Sequence, residues 1–392
     1  MTPAPIPEPG RAMGRAARRA RIGLPLLIAA WLASALLALG LGSADIGLGE
    51  AWRAVAESAG EALGMAGGAA SGITSGAADD TLADETTGPA PAEYERATRE
   101  GAAARARIIM QVRLPRVLLA LLVGGLLALC GVVMQAFFRN VMAEPYLVGV
   151  SSGAALGAVL AMLLGWSFRL GWFSSVPLSA FLFALGTVML VYLINRRRGG
   201  LHTAGLLLSG IAIASAVSAI VALLLVTSER SVQQVLFWLL GSLAAARWTH
   251  VWIVLPYAAL GIGVIIWFAR DLDLLLWGDT TGAALGAHVS RTRTWLLAAA
   301  SLMTAAVVSV SGVIGFVGLM VPHICRSLSG SSHRRLLPVA FFAGGILLVW
   351  ADVAARTLRA PTELPLGAIT AIVGAPFLIY LCGTHGRSRW RP

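Results

Sequence analysis

The side chains of this sequence that could carry out chemistry are few and widely separated. The histidines show no HExxH pattern and no second ligand at helical spacing; they are His202, His250, His288, His323, His333 and His385. The cysteines lie within or beside apolar runs, without the spacing of a zinc site or a disulfide framework; they are Cys130, Cys325 and Cys382. We therefore expect no catalytic residue, metal site or bound cofactor, with an intramembrane protease as the alternative.

All 30 basic side chains are arginine, because the chain contains no lysine. A Walker A loop needs a lysine on the β- and γ-phosphates of ATP, so this chain cannot form one. Any work driven by ATP would therefore need a separate ATPase subunit, and that subunit would use the ATP and Mg²⁺.

Hydrophobic residues make up 57% of the chain and charged residues only 12%. A soluble domain usually carries about 25% charged residues, and an apolar excess of this size cannot be hidden in a soluble core. The chain is therefore predicted to be an all-α integral membrane protein surrounded by the lipid bilayer. Its net charge of +11 is explained by arginines that anchor cytoplasmic loops, so no nucleic-acid partner is expected.

A group of polar residues separates two apolar runs between Gln135 and Glu144. It contains a glutamine, an arginine, an asparagine and a glutamate, and Pro145 follows directly. Ionisable groups within apolar sequence are costly in a membrane, so they usually mark a cytoplasmic hinge or a pathway. An ordinary short loop between two spans is the alternative.

The apolar runs predict about ten transmembrane helices. They lie at 22–42, 113–137, 146–165, 174–194, 203–227, 250–269, 294–312, 313–328, 337–355 and 366–383. A cleaved signal peptide is the alternative for the first run, although that run is longer than the usual apolar core of about 7–15 residues. The boundary between the two predicted spans at 294–312 and 313–328 is the hardest to place, because they form one continuous apolar stretch that only glycines interrupt.

Arginines are concentrated on one set of the predicted loops, which places both termini in the cytoplasm. Residues 1–21 then form a basic cytoplasmic lead, and residues 384–392 form a cytoplasmic tail. Residues 43–108 are rich in Gly, Ala, Ser and acidic residues, so we expect a largely disordered extracytoplasmic insertion. The other nine helices form a membrane core at 109–383.

Several sequence blocks, in this order, resemble one known family. They are RLPR from Arg113, GVVMQ ending at Gln135, RNVMAEPYLVG from Arg139, GFVGLMVPHICR from Gly315 and ADVAAR ending at Arg356. These blocks resemble the FecCD/BtuC-like permease family of ABC importers for ferric siderophores, haem and cobalamin. The resemblance implies a type II ABC importer permease fold with two inverted-repeat halves, located in the bacterial plasma membrane.

The resemblance also implies roles for particular positions on the cytoplasmic side. A hinge at the family motif would contain Gln135, Arg139, Asn140, Pro145 and Gly149. A coupling helix at 271–290 would dock on the ATPase through Gly278, Asp279, Ala283, Ala284, Leu285 and Gly286. The amphipathic spacing of that segment is also compatible with an interfacial helix that lies on lipid headgroups.

Two smaller groups of residues also receive roles from the resemblance. Extracytoplasmic arginines would receive acidic residues of a substrate-binding protein; they are Arg113, Arg116 and Arg356. The alternative is that these arginines anchor helix ends in the headgroup layer. A cytoplasmic gate would contain His202, Thr203 and Ala204, and local helix capping by Thr203 is the alternative there.

The resemblance implies a permease that binds two ABC ATPase subunits, an extracytoplasmic binding protein and a second permease copy, either identical or a paralogue. A ferric siderophore is the expected cargo, and haem and cobalamin remain open. An ion-coupled secondary transporter is the competing class, and it would need paired ionisable groups well inside the spans. Glu144, Asp352 and Glu363 all fall near the ends of predicted spans, which favours the importer. A membrane scaffold without transport activity is the third alternative.

Overall fold

The computed structural model describes residues 9–41, 103–196, 202–228 and 232–385, together with the isolated positions 49, 52, 56 and 101. In these ranges the chain forms thirteen α-helices and one short β-hairpin. The helices before the hairpin are α1 (Pro9–Gly40), α2 (Leu114–Phe138) and α3 (Val150–Leu163). The hairpin pairs β1 (Arg169–Leu170) with β2 (Phe173–Ser174) in antiparallel register.

The remaining helices follow the hairpin. They are α4 (Ser175–Arg196), α5 (Thr203–Val226), α6 (Val232–Leu239), α7 (Trp248–Trp267), α8 (Ala269–Leu275), α9 (Asp279–Ala284), α10 (Val289–Ser311), α11 (Val317–Ser329), α12 (His333–Thr357) and α13 (Leu366–His385). All ten predicted spans coincide with a helix, and seven helices of the described chain are long and apolar enough to cross a membrane. The prediction of an all-α membrane fold is confirmed.

Several predicted boundaries differ from those of the structure. Helix α1 begins at Pro9 rather than at 22, so the expected polar lead is partly helical. A π-helical turn at Ile109–Arg113 and a helical stretch at 103–108 precede α2 without a break, so the end of the expected insertion is helical as well. Most of the insertion at 43–108 and all of the tail beyond 385 lie outside the described residues.

Two described elements were not predicted from the sequence. Helix α6 and the hairpin both lie between spans, where hydropathy carries no signal because the segments are short. The carbonyl of Trp166 accepts a hydrogen bond of 2.6 Å from the Ser175 hydroxyl, so the hairpin closes onto the start of α4.

Helix α2 lies at the centre of the bundle, and 89% of its most apolar window is buried. Glycines allow its backbone to approach two other helices closely. A Cβ added at Gly124 would overlap the carbonyl of Gly344 on α12, and one added at Gly131 would overlap the carbonyl of Gly318 on α11. The small residues of α2 thus serve helix packing, as is usual for helices that contact each other in membranes.

Two helices are much shorter than the predicted spans that contain them. Helix α3 has 14 residues and α11 has 13, so each is about 20 Å long, against a hydrocarbon layer of about 30 Å. Helix α3 follows a 3-10 helix at Pro145–Val148 and the left-handed Gly149 (φ 84°), and α11 follows an irregular segment that ends at the left-handed Phe316 (φ 68°). The predicted spans at 146–165 and 313–328 are therefore only partly α-helical.

Candidate functional site

The hinge predicted at the family motif begins where α2 ends. Arg139 adopts a left-handed conformation (φ 49°), and its amide donates to the carbonyl of Ala136 at 3.2 Å. The amide of Asn140 donates back to the carbonyl of Gln135 at 3.1 Å, while its side-chain oxygen accepts the amide of Met142 at 3.0 Å. These bonds end the helix sharply and turn the chain back toward the bundle.

Gln135 joins the last turn of α2 to α11. Its side-chain amide donates to the carbonyl of Leu319 at 3.1 Å, and its Oε1 accepts from a guanidinium nitrogen of Arg326 at 2.9 Å. Gln135 is only 3% exposed, so both polar ends of a buried side chain are satisfied by the same neighbouring helix. The glutamine of the motif therefore links α2 to α11.

The two irregular segments before α3 and α11 meet each other. The Oε1 atom of Glu144 accepts the amide of Phe316 at 3.1 Å, and the hydroxyl of Tyr146 donates to the carbonyl of Ile314 at 2.8 Å. Gly318, in the first turn of α11, lies against Pro145. The two shortened helices are thus joined at their starts through polar contacts that hydropathy could not reveal.

The coupling segment is not one helix at 271–290 as predicted. It consists of α8 and α9, which are separated by a turn at Gly278, and a second turn follows at Gly286. Both glycines have positive φ angles, 100° and 92°, which glycine adopts without steric cost. These two turns end each helix after fewer than eight residues and fold the segment against the bundle.

Asp279, at the start of α9, connects the coupling segment to the hinge. Its Oδ1 atom accepts from Nη2 of Arg293 at 2.8 Å and from Nη2 of Arg139 at 3.3 Å. Arg293 is 6% exposed, and its guanidinium also lies 5.6 Å from the ring centroid of Phe137 on α2. One carboxylate therefore links the coupling segment, the hinge and α10. Arg293 was not predicted as a site residue.

Helix α8 is fixed to α10 and α12 by its own carboxylates. The Oδ2 atom of Asp271 accepts the hydroxyl of Thr292 at 2.9 Å. Asp273 accepts the amide of His333 at 3.0 Å and lies 2.6 Å from Nδ1 of the same residue. Burial raises the pKa of Asp273, but these hydrogen bonds from His333 outweigh it and hold the pKa below its ordinary value.

The outer surface of the coupling segment is exposed and largely apolar. Ala283, Ala284 and Leu285 are exposed, whereas Gly282 is buried against the carbonyl of Leu274. Docking of an ATPase on this surface stays a prediction. Trp277 extends this surface and is 75% exposed, although it was not predicted as a site residue. The position of this large apolar side chain directly before Gly278 in the sequence is the signal that could have indicated Trp277 as part of the docking surface.

The arginines predicted to dock a binding protein point into the structure. Arg116 is 7% exposed, and its Nη2 lies 2.9 Å from Oδ1 of Asp352 while its Nη1 lies 2.8 Å from Oε1 of Glu363. Arg356 also binds Asp352, with Nε and Oδ2 3.0 Å apart. Of these four side chains, only Glu363 has substantial exposure, at 38%. Docking through these arginines stays a prediction, and it would require their present partners to be exchanged.

Arg113 and Arg356 hold the end of α1 against the bundle. Arg113 donates to the carbonyl of Leu39 at 2.8 Å, and Arg356 donates to the carbonyl of Leu41 at 3.0 Å. Leu39 lies in the last turn of α1 and Leu41 directly follows it, and the final carbonyls of a helix have no partners within that helix. Two of the three predicted docking residues therefore also cap a helix end.

The predicted gate residues lie at the start of α5. His202 and Ala204 are exposed and Thr203 is half-buried. His202 occupies the capping position, and no side-chain capping bond is formed there, so the alternative of capping by Thr203 is wrong. Nearby, the side-chain amide of Asn195 on α4 donates to the hydroxyl of Ser209 at 2.6 Å. This buried contact, which was not predicted, fixes the entrance of α5 against α4.

Within the described ranges, no three His, Cys, Asp or Glu side chains form a group that could hold a metal ion. The polar residues of the structure instead join helices to one another. The arrangement is suited to transmitting movement from the coupling segment to the hinge and the short helices.

The FecCD transport family profile matches residues 26–383 of the chain. The chain is 46% identical over 274 residues to the cobalamin import system permease protein BtuC of Halobacterium salinarum, covering 70% of this chain and 73% of the relative. It is 40% identical over 274 residues to the Fe(3+) dicitrate transport system permease protein FecD of Escherichia coli, covering 70% and 84% of the two chains. The hemin transport system permease protein HmuU of Yersinia pestis is 40% identical over 281 residues, covering 70% and 82%.

A solved structure also resembles the whole fold. It is described as a metal-chelate type ABC transporter in an inward-facing conformation, and it superposes with a TM-score of 0.71 at 30% sequence identity. The similarity covers 93% of this chain and 98% of the other. The match therefore extends from the first helix to the last.

Proposed function

Because this chain belongs to the FecCD transport family, we propose that it imports a ferric siderophore as the membrane-spanning permease of an ATP-driven ABC importer. The chain is a multi-pass ABC importer permease, and its relatives are permeases of the same class. Both termini are assigned to the cytoplasm by the positive-inside rule. Two ATPase subunits would bind on that side and supply the energy, because the chain has no lysine for a Walker A loop.

The observation that carries this proposal is the exposed coupling segment and its connection to the hinge. Ala284 and Leu285 offer a small apolar surface on which an ATPase subunit can pack. Asp279 lies in the same segment and binds both Arg139 and Arg293. When the ATPases close, movement of this surface would pull on the hinge through charge-assisted hydrogen bonds, which are stronger than neutral ones.

We expect the double change Ala284→Asp and Leu285→Asp to abolish capture of the ATPase by the detergent-solubilised permease. Two carboxylates in an apolar contact would have to lose their water without gaining partners. The measurement is co-purification with the ATPase encoded beside this gene. Leu358→Asp is the matched control, because Leu358 is exposed in the turn after α12, at the opposite end of that helix from the coupling segment.

Two outcomes of this experiment would contradict the proposal. If the unchanged chain captures no ATPase, the proposed partner or the proposed function is wrong, and uptake driven by an ion gradient is measured next. If the double variant captures the ATPase as well as the Leu358→Asp control does, docking does not use the exposed face of α9.

A second permease copy is supported by two helices with large exposed apolar surfaces. Only 11% of the most apolar window of α5 is buried, against 89% for α2. Leu208, Leu223, Ile372 and Ile379 are all exposed on α5 and α13. We assign these surfaces to the contact with an identical or paralogous permease and to the pathway between the two copies.

The extracytoplasmic binding protein is assigned to the end that carries Arg116, Arg356 and Glu363. The arginines already have carboxylate partners there, so an acidic side chain of the binding protein would compete with Glu363 for Arg116. Arginine is suited to this exchange because it binds carboxylates through two parallel hydrogen bonds.

The cargo is tested by uptake into proteoliposomes that contain the permease, the ATPase and the binding protein. We expect ATP-dependent accumulation of iron supplied as a ferric siderophore, and weaker or no accumulation of cobalamin or haem. Cobalamin is the second candidate, since the relative with 46% identity is named a cobalamin import permease. Preferential uptake of cobalamin would overturn the siderophore assignment and keep the importer assignment.

A further inference from the structure

A cavity of about 600 Å³ lies between α2, α7 and α12 and is separate from the coupling segment and the hinge. Its walls are almost entirely apolar, and they include Ile262 and Ile266 on α7 and Phe341 and Phe342 on α12. Leu129 of α2 closes the inner side. The exposure of Ile266, at 62%, indicates that the cavity opens to the surroundings of the bundle.

One charged side chain lies at the end of this cavity. Arg334 lines it, is exposed, and forms no ion pair with another residue that the structure describes. Arg335 and Arg270 are also exposed and belong to the first turn of α12 and of α8. The groove is therefore apolar along its length and positively charged at one end.

With both termini in the cytoplasm, as proposed above, the charged end of the cavity lies at the cytoplasmic side of the membrane. Arg334 follows His333, and His333 binds Asp273 of the coupling segment. Between Arg334 and Phe342 the helix rises by about 12 Å, so the cavity runs from headgroup depth toward the middle of the bilayer. A ligand that fills it must combine an anionic head with a long apolar tail.

We propose that this groove binds one anionic phospholipid of the cytoplasmic leaflet, with its phosphate on Arg334 and an acyl chain between α7 and α12. Basic pockets between membrane helices on the cytoplasmic side recognise anionic headgroups through the same complementarity. The lipid would fill a cavity that apolar side chains leave open, and it would hold α12 beside α8. The groove is distinct from the exposed faces of α5 and α13 that we assign to a second permease copy.

The test uses the full-length permease in nanodiscs that contain a small fraction of a phospholipid with a photoreactive diazirine in its acyl chain. Phosphatidylglycerol and phosphatidylcholine carrying the same label are compared, and labelled peptides are identified by mass spectrometry. We expect phosphatidylglycerol to label the α7 and α12 peptides around Ile266 and Phe342 more strongly than phosphatidylcholine. Arg334→Gln should lower that labelling about fivefold, since one surface arginine typically contributes about that much to binding an anionic lipid.

Two matched pairs of variants distinguish a specific lipid site from a general attraction of anionic lipids to the basic surface. Arg335→Gln removes the same charge one residue away and should leave the labelling unchanged. Ile266 lines the groove, so the larger side chain of Ile266→Trp should fill it and lower the labelling. Leu260 lies on another side of α7, so Leu260→Trp should leave the labelling unchanged. Equal labelling by the two lipids, or an equal loss in Arg334→Gln and Arg335→Gln, would overturn the proposal and indicate ordinary boundary lipid.

Discussion

Arg116 is held between two carboxylates that differ in burial. The side chain of Asp352 is 2% exposed and that of Glu363 is 38% exposed, so the two contacts with the same guanidinium are not energetically equivalent. Removing one partner of a buried ion pair leaves an uncompensated charge, whereas a half-exposed partner can be replaced by water. The residues of this cluster therefore make unequal contributions to stability.

We expect Arg116→Ala to destabilise the permease by about 1.5–3 kcal/mol, because Asp352 loses its bidentate partner in a buried site and keeps only Arg356. Glu363→Ala should cost about 0–1 kcal/mol. Thermal unfolding of the two variants in the same detergent measures the difference. Similar unfolding temperatures for both variants would show that Asp352 does not depend on Arg116.

At the scale of the elements, helices α2, α11 and α12 pack through glycines rather than through large side chains. Gly131 and Gly318 bring the backbones of α2 and α11 into contact, and Gln135 and Arg326 add a hydrogen bond one turn further on. Close backbone approach lets these polar groups meet inside an apolar bundle. Local backbone contact and the polar link therefore depend on each other.

We expect Gly131→Ala to separate α2 from α11 and to lower both stability and transport, because the new methyl group would overlap the carbonyl of Gly318. Gly186→Ala is the matched control, since nothing lies within 4 Å of a Cβ at that position of α4. There the better helix propensity of alanine should stabilise the chain by up to about 1 kcal/mol. Unfolding temperature and ATP-dependent uptake are measured for both variants, and an unaffected Gly131→Ala variant would contradict the close packing.

At the scale of the whole molecule, polar contacts connect the surface of the coupling segment to the interior of the bundle. The coupling segment binds the hinge through Asp279 and Arg139, and the hinge leads to Glu144, whose carboxylate binds the amide before α11. The opposite end of the bundle is organised separately around Arg116 and Asp352. A permease that changes which side is open needs rigid helices with connected ends, and this arrangement has both.

Much of this protein could be predicted without its structure. The apolar content and the run lengths predicted an all-α membrane fold, and the absence of lysine excludes a Walker A loop in this chain. The order of the motifs indicated the family, whereas the roles of Arg139 in a hinge and of Leu285 in docking stay predictions. These properties depend on composition and on residues that are neighbours in the sequence, so the sequence alone is enough to predict them.

Only the tertiary structure decided which distant residues meet. Arg293 reaches Asp279 across 14 positions of the chain, Glu144 reaches Phe316 across 172, and Arg116 reaches Asp352 across 236. Hydropathy cannot reveal such pairs, because it averages over neighbours and treats every buried charge as an unpaired one. It also overestimated the lengths of α3 and α11, since an irregular apolar segment and a helix have the same hydropathy. The partners of buried polar groups are set by helix packing, and that packing exists only in three dimensions.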